Sequence, residues 1–330
     1  MKNCLAHTNN CFYNTDGGVY PCCQYDQNVP YTTTDGEWHP GCHRCHTQEQ
    51  RGQHSLRQTL NEDLVDQVSV EIAVDNTCNL TCVMCSSFSS HGIAAREKQL
   101  YGRSAVPGRT SNRIDYRGID FSTVTRLRLY GGEPLFSPGA NNLILSVDPA
   151  NMQIILPTNC TIIPNAAWQS FLKRAGSVIV DLSIDAWGDL NTYQRPGSDW
   201  ATTVATLDWW YRSGYTCNIN ATVSVYNYNY VQQLKQKIAQ HYPGIHLHTE
   251  YLVSPQYLDV HALPGIAALY GTTATQDLYR YFYTAHQFNG QLHSVNPQLS
   301  DYILAHPVET VSQKAMLELV MPSQPRSGTL

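Results

Sequence analysis

Six short apolar runs alternate with helical patterns between residues 68 and 251, and this alternation constrains the fold more than any other feature of the chain. Strands that alternate with helices form a parallel sheet with right-handed crossovers. The first four strands are predicted over Val68 to Val74, Val124 to Tyr130, Met152 to Leu156 and Val178 to Ile184. The clearest helices are predicted over Asn165 to Ala175, Trp200 to Ser213 and Tyr230 to Tyr242. We therefore expect an α/β fold with its functional residues at the carboxyl ends of the strands.

A loop with three cysteines follows the first predicted strand. Cys78, Cys82 and Cys85 have the spacing C-x3-C-x2-C. Structural zinc sites and closed iron–sulfur clusters use four protein ligands, because four thiolates complete their coordination. Three thiolates hold three corners of a [4Fe–4S] cube and leave one iron open to a substrate or a cofactor. The loop is therefore predicted to be catalytic.

Polar motifs follow the next three predicted strands. Gly131-Gly132-Glu133-Pro134 follows the second strand, Thr158-Asn159 ends the third, and Ser183-Ile184-Asp185 ends the fourth, with Arg195 further along. Glycines let a backbone approach a ligand closely, a carboxylate suits an ammonium group, and a guanidinium fork suits a carboxylate. Taken alone, the Gly-Gly-Glu-Pro segment is equally compatible with an ordinary turn after a strand.

The cysteine loop and these motifs, in this order, resemble the radical S-adenosylmethionine (SAM) enzymes. The resemblance implies a partial (β/α)6 barrel of the TIM type and a [4Fe–4S] cluster on Cys78, Cys82 and Cys85. In that family the cluster cleaves SAM to a 5′-deoxyadenosyl radical, which abstracts hydrogen from a substrate. Thr158-Asn159 departs from the Thr-Asn-Gly of many relatives, because Cys160 stands in place of the glycine.

The same resemblance implies a set of contacts to SAM. Met84 lies near the adenine, and Gly131, Gly132, Glu133 and Pro134 meet the amino group, chiefly through Glu133 and backbone carbonyls. Thr158 and Asn159 lie at the end of the third strand, and Ser183 and Asp185 contact the ribose. Arg195 pairs with the SAM carboxylate. No residue is assigned to the chemistry of the substrate itself.

A second group of cysteines precedes the first barrel strand. Cys4, Gly17 and Cys22 fit the pattern C-x(9–15)-G-x4-C, and Cys42 and Cys45 form a C-x2-C pair. This arrangement resembles SPASM and Twitch modules, which bind an auxiliary iron–sulfur cluster. The resemblance implies Cys4, Cys22, Cys42 and Cys45 as the ligands.

Two alternatives to this ligand set remain open. Cys23 competes with Cys22 because the two cysteines are adjacent, and Cys11 is a spare. Zinc is the alternative metal, since His39, His43 and His46 flank the C-x2-C pair and short Cys/His spacings favour zinc.

The predicted organisation has four parts. Residues 1–62 form the Cys-rich Twitch/SPASM-like module, and residues 63–264 form the radical SAM barrel. Residues 265–321 form a helical extension, and residues 322–330 form a disordered tail.

Composition limits where the protein acts and what it binds. Eleven cysteines without a signal-peptide pattern predict metal ligation in a reducing cytoplasm rather than disulfides. No apolar run is long enough to span a membrane. The net charge of −5 gives no electrostatic basis for binding nucleic acid.

The substrate is the least determined part of the prediction. We expect an oxidoreductase that modifies a peptide or protein, because that is the commoner pairing among relatives with such modules. The alternative is a small-molecule dehydrogenase or rearrangement enzyme acting on a sugar, a nucleoside or a nucleobase-derived compound. A third, non-enzymatic interpretation is a zinc-stabilised binding protein. The enzyme interpretations require SAM and an electron donor such as flavodoxin or ferredoxin.

Overall fold

The computed structural model describes residues 4–15, 17–26, 29–30, 38–101, 116–253 and 258–260. Its central element is an eight-stranded sheet with the strand order β2-β1-β3-β4-β5-β6-β7-β8. The strands are β1 (Asn10–Tyr13), β2 (Val19–Tyr20), β3 (Ser69–Ala73), β4 (Arg126–Tyr130), β5 (Gln153–Thr158), β6 (Ser177–Ser183), β7 (Thr216–Val223) and β8 (His246–Tyr251). The predicted α/β class is confirmed, and the four strands predicted with bounds are present as β3 to β6.

Nine α-helices occur in the described part of the chain. They are α1 (Ala6–Asn9), α2 (His43–Gln50), α3 (Leu56–Asp63), α4 (His91–Tyr101), α5 (Pro138–Ser146), α6 (Ala166–Arg174), α7 (Asp189–Gln194), α8 (Trp200–Arg212) and α9 (Val231–His241). The three helices predicted from the sequence correspond to α6, α8 and α9. Side-chain caps fix the starts of two of them, because Asn165 accepts a hydrogen bond from the Trp168 amide and Asp199 accepts one from the Thr202 amide.

The N-terminal cysteine-rich segment is continuous with the barrel sheet. Strand β1 pairs in parallel with β3, and β2 pairs antiparallel with β1. The segment therefore shares one compact unit with β3 to β6, which comprises residues 1–222 and 232–250. The boundary predicted at residue 62 separates sequence modules, but it does not separate two compact units.

Residues 223–231, 251–253 and 258–260 belong to a second compact unit. In its described part, the Val225 amide donates to the Leu258 carbonyl at 3.1 Å, and the Leu252 amide donates to the Val223 carbonyl at 2.9 Å. The predicted helical extension and tail lie outside the described residues.

The two faces of the sheet differ in character. One face of β3 to β7 carries Val70, Leu127, Ile154, Val180 and Ile219, which pack in the main hydrophobic core. The opposite face carries Glu71 on β3, Arg128 on β4, Asp181 on β6 and Asn218 on β7, and we call it the polar face. Parallel sheets are usually apolar on both sides, so four polar side chains here are unusual.

Arg128 and Asp181 form an ion pair on the polar face. Nη2 of Arg128 lies 2.8 Å from Oδ2 of Asp181, and both side chains are largely buried. The Asn218 side-chain amide donates to Oδ1 of Asp181 at 3.4 Å. Four polar side chains from β3, β4, β6 and β7 thus share the polar face, with apolar β5 between β4 and β6.

Candidate active site

The three-cysteine loop (residues 78–85) begins after β3, and hydrogen bonds hold it against the segment around Arg195. The Thr81 amide donates to the Pro196 carbonyl at 3.0 Å, and the Val83 amide donates to the Gln194 carbonyl at 2.9 Å. These contacts join the loop after β3 to the segment that follows β6 and α7. The structure therefore brings the first and fourth predicted motifs together.

The three thiols of this loop lie close enough to influence each other. Burial, together with the neighbouring Cys82 and Cys78, raises the pKa of the Cys85 thiol to about 12. The Leu80 amide donates to Sγ of Cys78 at 3.4 Å, a contact that stabilises a ligating thiolate. Burial also raises the pKa of Cys82, whereas the Arg195 guanidinium opposes that rise.

The donor set suits a cluster with one open iron. Among the described residues, no three His, Cys, Asp or Glu side chains converge as the ligands of a single ion do. Thiolates of a [4Fe–4S] cluster bind separate irons, so their sulfur atoms need not converge in this way. Three cysteines with a sulfur-directed amide and a nearby guanidinium fit three corners of such a cluster.

Gly131 and Gly132 pack directly on the loop that carries the cysteines. A Cβ on Gly131 would clash with the Asp75 carbonyl oxygen, and one on Gly132 would clash with the Thr77 carbonyl. Gly131 also has a φ of 140°, which side chains rarely adopt. Both glycines therefore have a packing role in the structure. The sequence had instead suggested that they allow a ligand to approach the backbone closely.

Glu133 is the buried centre of the strand ends, with only 1% of its surface exposed. One carboxylate oxygen accepts from the Thr158 hydroxyl at 2.7 Å and the other accepts from the Asn159 amide at 2.7 Å. Burial raises the pKa of Glu133 to about 7, and the bonds from Asn159, Thr158 and Leu135 limit that rise. The second and third predicted motifs therefore form one hydrogen-bonded group.

Asp185 and Arg195 pair with each other. Nε of Arg195 donates to Oδ2 of Asp185 at 2.7 Å, and Nη2 donates to Oδ1 at 3.0 Å. The Thr222 amide also donates to Oδ1, at 2.9 Å. Asp185 was predicted to contact the ribose, and in the structure its fully buried carboxylate accepts these three hydrogen bonds. Its observed role is to hold the guanidinium.

The free edge of that guanidinium faces the cysteine loop. Nη1 of Arg195 lies 3.9 Å from Sγ of Cys82. Ser183 is half-buried, and its hydroxyl makes no hydrogen bond to any described residue. Met84 is also half-buried, whereas Pro134 is buried behind Glu133. The side chain of Asn79, which no sequence motif had indicated, accepts a hydrogen bond from the side-chain amide of Asn159 at 2.8 Å. This contact links the loop to the end of β5.

The second cysteine group lines a cavity. Cys4, Cys22, Cys42 and Cys45 all contribute to the wall of one small concave space. We call it the four-cysteine cavity. Burial, together with the neighbouring Cys4 and Cys45, raises the pKa of Cys42 to about 12. These four residues are the set predicted for the auxiliary cluster, brought together from three segments.

The competing cysteines lie elsewhere. Cys23 faces the barrel strands, where its Sγ lies 3.2 Å from the Tyr130 hydroxyl on β4. Cys11 is exposed on β1. The geometry therefore favours Cys22 over Cys23 as the cavity residue, a choice that adjacency in the sequence left open.

Only one of the three predicted histidines lines the four-cysteine cavity. His39 contributes to its wall, but its Nδ1 already accepts from the Gly41 amide at 3.1 Å. His43 lies 3.7 Å from Asp26, and His46 stacks on Trp38.

The sequence analysis missed His7 as a cavity residue. Nε2 of His7 lies 3.7 Å from Sγ of Cys42. Its position is set by α1, a four-residue helix without a strong sequence pattern.

A network of charged and polar side chains lies at the wall of the cavity. Arg57 donates two hydrogen bonds to Glu49, at 2.8 and 2.7 Å, and the Ser55 hydroxyl donates to the same carboxylate at 2.6 Å. Arg57 also lies over the Trp38 ring, 5.3 Å from its centre. Arg57 and Trp38 both line the cavity.

Comparison with known proteins gives partial matches. No family model matches the chain. A GTP 3′,8-cyclase from Petrotoga mobilis is 28% identical over 124 residues, which cover 36% of this chain and 34% of that protein. The chain thus matches about a third of the length of this relative. Its motifs, its sheet and its similarity to this relative all indicate a resemblance to the radical SAM enzymes.

Several solved structures are similar at low sequence identity. One is anSMEcpe with bound AdoMet and a Kp18Cys peptide, at 18% identity and a TM-score of 0.40, covering 67% of this chain and 61% of that one. Another is SuiB from Streptococcus suis bound to the precursor peptide SuiA, at 15% identity and a TM-score of 0.42, covering 82% and 59%. Within the described residues, no helix has the length and apolar character needed to cross a membrane.

Proposed function

We propose that this protein is a radical SAM enzyme with an auxiliary iron–sulfur cluster in the four-cysteine cavity. The observation that carries the proposal is the convergence of the three-cysteine loop with Glu133, Asn159 and Arg195 at the ends of β3 to β6. In barrels of parallel strands, catalytic groups gather at this edge.

Each residue of the candidate site has a defined part in this proposal. Cys78, Cys82 and Cys85 hold a cluster that supplies the electron for cleavage of SAM to methionine and a 5′-deoxyadenosyl radical. Glu133, held by Thr158 and Asn159, and the backbone at Gly131 and Gly132 face the amino group of SAM.

The remaining contacts complete the SAM site. Arg195 presents the Nη1 edge of its guanidinium, which faces Cys82, to the SAM carboxylate, and Asp185 positions that guanidinium. Ser183 offers its hydroxyl to the ribose, and Met84 lies beside the adenine.

The four-cysteine cavity supports a closed auxiliary cluster. Cys4, Cys22, Cys42 and Cys45 provide four thiolates, which is the number that completes a [4Fe–4S] cluster. The module is Twitch-like in this proposal. Zinc is the competing occupant, and metal analysis separates the two.

Two substrate classes follow from different observations. A peptide or protein is the first choice, because the Twitch-like module is commonest in enzymes that modify such substrates. A nucleotide or related small molecule is the second choice, because the curated relative is named for its action on GTP. An electron donor such as flavodoxin or ferredoxin completes the proposed cytoplasmic system.

The deciding experiment is anaerobic reconstitution of the full chain with iron and sulfide, followed by SAM and dithionite. We expect about eight irons per chain, because each of two [4Fe–4S] clusters holds four, together with 5′-deoxyadenosine. About four irons with deoxyadenosine would leave the cavity to zinc or another group. Zinc at the three-cysteine loop and no deoxyadenosine would refute the enzyme.

The substrate classes are separated by stimulation of SAM cleavage. GTP and a panel of unmodified peptides are added in turn to the reconstituted enzyme, and deoxyadenosine is measured against a blank. A rise with peptide and a mass change in that peptide supports the first class. A rise with GTP alone supports the second.

A further inference from the structure

The adjacent residues Cys22 and Cys23 face two different sites. Cys22 lines the four-cysteine cavity, whereas Sγ of Cys23 lies 3.2 Å from the Tyr130 hydroxyl. The Gln24 side-chain amide then donates to Glu250 on β8. Residues 22–24 therefore lie between the cavity and the polar face, and the peptide bond between Cys22 and Cys23 connects the two sites.

Tyr130 places Cys23 next to the proposed SAM site. Tyr130 is the last residue of β4 and immediately precedes Gly131. It alternates with the core residue Leu129, so its ring lies on the polar face. There the Arg128 guanidinium lies over the ring at 5.0 Å and Phe12 packs edge-on at 6.0 Å.

Glu71 gives independent support for a ligand at this place. Its side chain is 1% exposed, and neither carboxylate oxygen has a described partner in normal hydrogen-bond geometry, although the Cys23 thiol and the Asn10 side chain lie close to it. Burial raises the pKa of Glu71, and the nearby Arg128, Arg126, Cys23 and Asn10 oppose that rise. A buried carboxylate without a hydrogen bond is costly unless a bound polar group satisfies it.

We propose that Cys23 donates a hydrogen atom to the carbon radical formed at the polar face, with the Tyr130 hydroxyl as its hydrogen-bond partner. This inference rests on the proposed function. It adds a residue that quenches the product radical, a role that no motif of the sequence assigns. The thiol is suited to it because an S–H bond is weaker than the C–H bond that replaces it.

The step balances with one external electron. The S–H bond of Cys23 breaks, a C–H bond forms on the radical carbon, and a thiyl radical remains on Cys23. One electron and one proton from solvent restore the thiol; a cluster held by Cys4, Cys22, Cys42 and Cys45 would relay that electron to Cys23. A low-potential donor, dithionite in the assay, replaces the electron.

The test uses the deoxyadenosyl radical itself as the probe. The reconstituted full chain is given SAM and dithionite in D2O without substrate, and mass spectrometry measures the deuterated fraction of the 5′-deoxyadenosine. Only exchangeable hydrogens, such as the Cys23 thiol, carry deuterium. We expect labelled product from the wild type and from Cys11→Ala, a cysteine variant in the same module.

Cys23→Ala and the size-matched Cys23→Ser should lose the label. An unchanged deuterated fraction in these variants, or no label in the wild type, would overturn the role of Cys23 while leaving the proposed function intact. Absence of deoxyadenosine from the wild type would overturn both.

Iron content provides a readout that does not depend on turnover. Cys23→Ser should keep about eight irons per chain, since Cys23 faces away from the cavity, whereas Cys22→Ser should keep about four. Loss of iron in Cys23→Ser would make Cys23 a ligand and would refute the hydrogen-donor role.

Discussion

The three-cysteine loop and the four-cysteine cavity use the same ligand in two different ways. The loop draws its thiols from eight consecutive residues, and its partners are the guanidinium of Arg195 and the motifs at the strand ends. The cavity draws its thiols from three segments, one before α1, one after β2 and one around α2. The loop, with three thiols, thus lies against polar strand ends, whereas the cavity, with four thiols, has a mixed wall in which Trp38 and Leu60 stand beside His39 and Arg57.

The largest effect is expected at the loop. Cys82→Ala should abolish deoxyadenosine formation and lower the iron content from about eight to about four per chain, because the cluster loses one of three ligands. Anaerobic iron analysis and chromatography of deoxyadenosine measure both. Cys11→Ala is the matched control and should change neither. Normal cleavage by Cys82→Ala would show that the loop does not hold the catalytic cluster.

Removing cysteines from the four-cysteine cavity should lower the iron content by the same amount but leave SAM cleavage intact. The double variant Cys42→Ala/Cys45→Ala removes two of four thiolates, so we expect about four irons per chain and continued formation of deoxyadenosine. Iron analysis and electron paramagnetic resonance of the reduced protein test this. If iron stays at the wild-type level, the second cluster lies elsewhere or does not form.

The ion pair between Asp185 and Arg195 is buried, so it should contribute more to the unfolding free energy than an exposed ion pair does. Asp185→Ala leaves the Arg195 guanidinium buried without its partner, and the apoprotein should lose about 3–5 kcal/mol of unfolding free energy. The exposed pair of Arg174 and Asp148, at 3.5 Å, is the control, and Arg174→Ala should change stability by no more than about 0.5 kcal/mol. Urea unfolding compares the two. Equal losses would contradict the structural role of the buried pair.

The smallest effect concerns the pH dependence contributed by Glu133. Its pKa of about 7 lies above the ordinary value of 4.5, so the folded apoprotein binds a proton that the unfolded chain releases between these values. This contribution to stability is present below pH 4.5 and is lost as pH rises through 7, with a magnitude of about 1–3 kcal/mol.

Glu133→Gln removes this titration while keeping the side-chain shape. Unfolding free energies at pH 5 and pH 8 should therefore differ less in the variant than in the wild type. An identical difference in both proteins would show that Glu133 titrates normally.

Local spacing explains why the proximity of the cysteines in the three-cysteine loop could be predicted in full, whereas that of the cysteines in the four-cysteine cavity could be predicted only in outline. Cys78, Cys82 and Cys85 are set by three short intervals directly after a strand of β-branched residues, so their proximity needs no long-range contact. The choice of Cys22 over Cys23 depends instead on how residues 22–24 cross between the cavity and β4. Two adjacent residues in an irregular segment have no pattern that states which face each side chain takes.

The sequence alone determined the α/β class, the parallel sheet implied by strand–helix alternation, and the placement of the polar motifs at the carboxyl ends of the strands. Hydrophobic periodicity and strand-end chemistry are local properties, and they carry this information directly. Only the tertiary structure decided that Asp185 holds Arg195, that the two glycines of the second motif pack on the cysteine loop, and that β1 extends the barrel sheet. These depend on which side chains meet across distant segments, because a buried charge or a close backbone approach is defined by its neighbours in space.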